Sequence, residues 1–208
     1  MSLKIKKLVL FDFDGVIADT LELSYKIHKD ANGKLSWEKY QTFSEGNFHE
    51  MIGKYVREES YTIPQNFYEL YEKNLNIISI HEIIRDAILK LEEKYRLSII
   101  SSSNTSYISN FLKKENIFNC FDDILGLDVH TDKIFKINSL LKKYEIEKIN
   151  SIFITDSLGD ILDCNNCGIR AIGVTWGINK KETLEKGRPV MIIEDPRFLL
   201  ETIQNVLK

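Results

Sequence analysis

The chain predicts a doubly wound α/β core, a parallel sheet with helices on both faces, carrying an inserted α-helical cap. Three observations lead there. From about residue 80 onward, short apolar runs alternate with amphipathic helical stretches, the pattern of parallel strands joined by crossover helices. Between the first apolar run and the next lies a long stretch with helical periodicity only. Polar and acidic residues gather just after several of the runs, where an open parallel sheet binds its ligands.

The first strand is expected at residues 8–11, where Leu8, Val9, Leu10 and Phe11 form an unbroken apolar run, as a strand buried on both faces requires. It stops at Asp12, Asp14 and Gly15. A helix follows over 21–31, with Leu23, Ile27 and Ala31 at helical spacing and Gly33 as its stop. Trp37, Tyr40 and Phe43, then Met51, Ile52, Tyr55 and Val56, form further helical stripes around the polar link Ser44, Glu45, Gly46 and Asn47. Pro64 opens another expected helix, with Phe67, Leu70 and Tyr71 on one side. The insert is therefore placed at residues 18–84 and the core at 1–17 and 85–208.

The alternation then runs through a helix at 80–95, a strand at 97–100 and a helix at 105–115. A short strand around 124–125 precedes a helix carrying Ile134, Ile137, Leu140, Leu141 and Tyr144. A strand at 151–155, a helix at 158–166, strands at 171–175 and 190–193 and a closing helix at 196–207 complete the core.

Composition excludes several classes. The 208 residues carry a net charge of −3 with no basic cluster, which speaks against nucleic acid or an anionic membrane as partner. Lys4, Lys6 and Lys7 precede an apolar run too short for a signal-peptide core, and no run reaches the length of a membrane span. Three cysteines are too few for a disulfide framework, so the cytoplasm is the expected location. Oligomeric state is not readable.

The strand ends carry the chemistry. Asp12 and Asp14 are spaced i, i+2, so in extended chain both point one way. Two carboxylates at one tip call for a cation or a shared proton, and a hard divalent ion such as Mg²⁺ takes such oxygen ligands. Taken alone, the stretch Asp12 to Gly15 also suits a turn with solvated acids. The second strand runs into Ser101, Ser102, Ser103 and Asn104, whose hydroxyls and amides suit either an anion or plain helix capping. The fourth ends at Asp156, with Asp160 one helical turn on. Lys133 stands in a first helical turn, against the helix dipole, which suggests a role other than helix stability. Three aspartates for a metal, with a serine and a lysine for an anion, outline a phosphoryl-transfer site.

These residues resemble the haloacid dehalogenase superfamily. Its four motifs match, in order, Phe11-Asp12-Phe13-Asp14-Gly15-Val16, Ser101, Lys133, and Asp156 with Asp160. Lys136 is the alternative lysine, because the common Lys-Pro pair is missing. The resemblance covers nearly the whole chain, and Gly173-Val174-Thr175-Trp176-Gly177 is similar to the tail of phosphoglycolate-phosphatase-like members.

What the resemblance implies is a Mg²⁺-dependent phosphatase of small phosphorylated metabolites. Asp12 would attack phosphorus to give an aspartyl-phosphate, and Asp14 would protonate the leaving alcohol and then activate water. Mg²⁺ would sit on the Asp12 side chain, the Asp14 carbonyl and Asp156, with Asp160 supporting Asp156 or a bound water. Ser101, the Ser102 amide and Lys133 would hold the phosphate. Within the insert, Gly46, Asn47, Lys54 and Arg57 are the expected substrate-facing residues, although a solvated helix face competes for the last two. β-Phosphoglucomutase-like mutases share the Asp-Gly-Val-Ile-x-Asp-Thr wording but carry histidine where Ser24 stands. A phosphonatase would need a Schiff-base lysine, and nothing marks out Lys26, Lys29 or Lys54. A phosphate-binding module without activity is the non-enzymatic reading. Cys164 and Cys167 have redox or metal spacing but fall late in a helix, where cysteine packs as a small hydrophobe. No histidine has the spacing to complete a zinc site with them, and His130 is the one that stands near Lys133.

Overall fold

The structure is a computed structural model and describes residues 7–58 and 61–208. Lys4 and Lys6, and the parts of the expected core and insert at 1–6 and 59–60, lie outside the described residues. Strand β1 (Leu8–Phe11) leads into four helices, α1 (Leu21–Ala31), α2 (Trp37–Gln41), α3 (Phe48–Glu58) and α4 (Phe67–Leu75). Helix α5 (Glu82–Leu91) and strand β2 (Arg96–Ile100) follow, then α6 (Thr105–Lys114), β3 (Asp123–Leu125) and α7 (Lys133–Tyr144). The chain ends with β4 (Ser151–Thr155), α8 (Leu158–Cys167), β5 (Arg170–Val174), α9 (Lys181–Glu185), β6 (Met191–Ile193) and α10 (Leu199–Val206).

The six strands form one sheet in the order β3-β2-β1-β4-β5-β6, with every pairing parallel. Two-sided burial explains why β1 reads as a continuous apolar run. Val9 and Phe11 join Leu97, Ile99, Ile152 and Ile154 in a cluster roofed by α5, α6 and α10. Leu8 and Leu10 point the other way, into a cluster with Phe153, Ile137, Leu141 and Ile161 from α7 and α8. A residue polar on either face would be left without water or partner.

Where the chain departs from the expected boundaries, local bonding decides. Helix α5 begins at Glu82 because the His81 side chain caps Ile83 N at 3.3 Å, while Ile80 is taken up in a bridge to Ala18. That bridge sets the chain's exit from β1 beside its return, and the helices α1 to α4 lie between the two. Helix α4 starts at Phe67, not at Pro64, whose carbonyl accepts the Phe67 amide. The closing helix opens as a tight turn, Pro196–Phe198, capped by Asp195. Helix α9 has only five residues and gave no periodic signal.

The inserted helices divide their packing. Ile27, Tyr71 and Leu75 join the sheet's own cluster. Leu35, Tyr40, Phe43, Ile52 and Tyr55 form a separate aromatic-rich one, entered by Ile178 from the loop after β5.

Among the described residues no helix is long and apolar enough to cross a membrane.

Candidate active site

Strand order reverses between β1 and β4, each of which has an aspartate directly after it. Asp12 extends the ladder, its amide donating to the Ile154 carbonyl at 2.9 Å, and its Oδ1 accepts the Phe13 amide at 2.7 Å. Asp156 follows Thr155 at the tip of β4, and its Oδ2 accepts the Ile178 amide at 2.7 Å. The turn after Asp12 folds back so that Val16, Ile17 and Ala18 all donate to the Phe13 carbonyl. Gly15 makes this possible. Its φ is +72°, and a Cβ there would lie 2.1 Å from Asp156 Oδ2.

Lys133 joins the acids. Its ammonium donates to Asp12 Oδ2 at 2.9 Å and to Asp160 Oδ2 at 2.7 Å, with all three side chains buried. Asp132 caps the helix by accepting from Ile134 N, which lets the first residue of α7 aim inward against the dipole. Lys136, one turn on, reaches instead the carbonyls of Ser101 and Gly126 at 2.7 and 3.2 Å, bracing the β2 and β3 tips from behind. The geometry therefore favours Lys133 over Lys136 as the lysine beside Asp12.

Asp160 does not cap α8. Ser157 does, and the Asp160 side chain is held by Lys133 and by the Thr155 hydroxyl at 2.7 Å. Burial would lift its carboxyl, but Lys133 and these hydrogen bonds outweigh burial and hold it below the usual range. Asp12 shows the opposite balance: burial dominates, Lys133 only partly offsets it, and the carboxyl stays well above its ordinary value. Burial likewise lifts Asp156 to about 7. Burial opposes the Lys133 charge too, yet Asp12 and Asp160 together hold its ammonium above the usual range. Three buried carboxylates thus face one buried ammonium.

Asp14 turns to a different set of partners. Its Oδ1 accepts hydrogen bonds from Thr20, at 2.6 Å, and from Tyr71, and its Oδ2 accepts from Ser103 at 2.7 Å. Ser101 is fully buried. Its hydroxyl accepts the Ser103 amide at 2.9 Å and contacts Asp14 Oδ2 at 3.4 Å, while Ser102 and Ser103 face the open space. Thr20, Tyr71 and Ser103 are the partners that sequence reasoning missed. Ser103 read as a helix cap and Tyr71 as one more aromatic of a helical stripe.

Above these groups lies a cavity of about 520 Å³, walled by α1, α3 and α4. Gly46 and Asn47 line it, as expected. Lys54 and Arg57 do not: both are exposed on the far side of α3 from Phe48, His49 and Ile52, which do line the cavity. Two residues past Ile52 is a turn of about 200° on a helix, so Lys54 faces solvent. The insert presses closely on the core, and a Cβ at Gly159 would lie 2.2 Å from the Gly46 carbonyl. His130 stacks on Phe135 with centroids 4.2 Å apart and is not part of the cavity wall. Cys164 and Cys167 are buried and unpaired, and burial pushes both thiols up, Cys167 to about 11, the reverse of what thiolate chemistry needs.

His28, in the cavity wall, is also strongly shifted. Burial pushes its imidazole down to about 4, with Tyr61 as its hydrogen-bond partner. The folded chain then binds fewer protons than the unfolded one between about pH 6.5 and 4. Stability is therefore expected to drop as pH is lowered through that window, by up to about 3 kcal/mol from this group. Urea unfolding followed from pH 7 to pH 4.5 should show a shallower fall for His28→Phe than for the unaltered chain.

Comparison with known proteins places this geometry. The model of the family described as haloacid dehalogenase-like hydrolase matches residues 9–174, from β1 through β5. The chain belongs to the haloacid dehalogenase-like hydrolases. Among curated relatives, this hydrolase is 24% identical to a phosphoglycolate phosphatase of Vibrio cholerae over 222 residues, covering 95% of this chain and 96% of the relative. A hydrolase from Pseudomonas syringae superposes with a TM-score of 0.81 at 19% identity, covering 97% of this hydrolase and all of that chain. CbbY from Rhodobacter sphaeroides, solved in complex with phosphate, superposes at 0.75 with 18% identity, covering 93% of this hydrolase and 96% of that chain.

Proposed function

We propose that this hydrolase is a Mg²⁺-dependent phosphatase of small phosphorylated metabolites, working through an aspartyl-phosphate on Asp12. One observation carries the reading: Asp12 and Asp156 end neighbouring strands at the switch point, and a buried lysine bridges Asp12 to Asp160. The full-length similarity to a phosphoglycolate phosphatase supports it.

The residues fit a hard divalent ion. Burial holds Asp12 and Asp156 above the usual carboxylate range, and Lys133 alone offsets the three acids, so added positive charge between them is favourable. Among the described residues no three His, Cys, Asp or Glu side chains form a ligand set. The ion would therefore rest on the Asp12 and Asp156 carboxylates and the Asp14 main-chain carbonyl, with water completing its shell. When bound, it neutralises charge on the phosphoryl group and on the acids.

Asp12 forms a bond from a carboxylate oxygen to phosphorus as the ester P–O bond breaks. Asp14 gives a proton to the departing alkoxide and later takes one from the water that cleaves the acyl phosphate. Thr20, Tyr71 and Ser103, all donating to its oxygens, fix the orientation of the Asp14 carboxylate. Lys133 stands where a phosphoryl oxygen carried on Asp12 would meet it, and Asp160 and Thr155 keep it there. Ser102 and Ser103 offer hydroxyls and the start of α6 to the remaining oxygens. The inserted helices form the cap over residues 18–84, and they exclude water while the leaving group is held.

The test is release of inorganic phosphate from phenyl phosphate by purified protein in Mg²⁺ and in EDTA. Release in Mg²⁺ that EDTA abolishes is expected. A folded protein that binds phosphate without turnover would identify a binding module instead.

A further inference from the structure

The cavity over the site has an uneven chemistry. Its floor carries Asp12, Asp14, Asp156, Asp160 and Asp163, and Lys133 is the only lysine or arginine among the described residues that line it. That ammonium is already committed to Asp12 and Asp160. Neither histidine in the wall adds charge at neutral pH. Burial brings His28 to about 4, and it also lowers His49, helped by Lys136 and Lys133.

The wall above is aromatic. Phe67 stacks on Tyr71 with centroids 5.6 Å apart and 21° between planes, and it lies 4.9 Å from the His28 ring. Tyr107, from the core helix α6, closes the ring at 6.4 Å from both Tyr68 and Tyr71. At the rim, Ile63 and Tyr68 are 55% and 43% exposed and add apolar surface. A volume of about 520 Å³ falls in the range of roughly 300–1,000 Å³ that holds a ring-sized ligand.

We propose that the phosphate monoester this site takes has an uncharged aromatic leaving group, packed against the aromatic wall formed by Phe67, Tyr68 and Tyr107. This deepens the phosphatase reading and rests on it. A carboxylate or second phosphate on the leaving group would be drawn out of water against this aromatic wall, where Lys133, already committed to Asp12 and Asp160, is the one lysine or arginine among the described lining residues, and that is costly. A flat neutral ring gains offset or edge contacts with Phe67, Tyr68 and Tyr107 and buries apolar surface. On this ground phosphoglycolate, whose leaving group is an anion of two carbons, fills the cavity poorly.

The experiment compares kcat/KM in Mg²⁺ for benzyl phosphate, 4-carboxybenzyl phosphate, ethyl phosphate and phosphoglycolate. All four release alkyl alcohols, so the benzyl pair differs chiefly in charge and the ethyl ester lacks the ring. Benzyl phosphate should exceed each of the others by at least about tenfold. Gln65→Arg, on an exposed lining residue, should narrow the ratio between the benzyl and carboxybenzyl esters at least about threefold by supplying the missing cation. Phosphoglycolate or the carboxybenzyl ester turned over as well as benzyl phosphate overturns the leaving-group inference and leaves the phosphatase reading standing. Phosphate release from none of the four overturns both.

Discussion

Asp12→Asn is expected to lose at least about 10⁴-fold in phosphate release while folding at least as well as the unaltered chain. The two halves of this result have one cause. Asp12 is buried, and its carboxyl is pushed well above the usual range despite Lys133 beside it. Its charge is therefore carried at a cost to the metal-free fold, as expected of a group placed for chemistry and not for stability. An amide keeps the shape and removes the cost, but it is no nucleophile. Initial rates in Mg²⁺ and thermal unfolding in EDTA measure the two sides. A variant within tenfold of the natural rate would remove Asp12 from the reaction. A variant that unfolds far more easily would show that the charge stabilises the fold.

Lys133→Met reverses that logic. Removing the ammonium leaves Asp12 and Asp160 buried without a counter-charge, and breaking such a pair costs about 3–5 kcal/mol. On the proposed mechanism activity should fall about 10³-fold with it, because the proposed donor to the transferring phosphoryl group is gone. The pH dependence separates charge from packing. In the natural chain Lys133 holds Asp160 below its unfolded value, so this group adds stability above about pH 4 and loses it as pH falls. In the variant burial, the largest influence on Asp160, is opposed only by hydrogen bonds such as that from Thr155, and it lifts the carboxyl. The folded state then binds the extra proton, and stability falls as pH rises. The gap between the two proteins in urea should be small at pH 4 and widest near pH 7.5. An equal gap at both would mean that the lost contact is one of packing.

The sequence announced the sheet because a strand buried on both faces has no choice of residue. Leu8 to Phe11 serve two separate apolar clusters, and the run ends where the chain first meets solvent and ligand. Asp12, Asp156 and Lys133 were legible for a related reason: each sits at a strand tip or helix start, and together they outline one site that a turn or cap read singly does not. Tyr71 was not legible, since an aromatic at helical spacing reads as core, and its hydroxyl's partner Asp14 lies 57 residues away. Lys54 and Arg57 show the opposite failure. They were expected to face the substrate, with a solvated helix face as the competing reading, and helix phase, set by Phe48 and Ile52 packing inward, carries them to the solvent side. Helix α9 is too short to show a period at all.

Ile178 ties two distant events together. Its amide holds Asp156 Oδ2 at 2.7 Å, its carbonyl takes the Gln41 side-chain amide at 2.6 Å, and its side chain is packed among Tyr40, Phe43 and Tyr55. Next to it, Asn179 reaches the Ser44 hydroxyl at 2.8 Å. Moving the helices Trp37–Gln41 and Phe48–Glu58 away from the loop after β5 must therefore tug on the same amide that steadies Asp156. Admission of a molecule to the cavity and the orientation of the Asp156 carboxylate are thereby geared to one another.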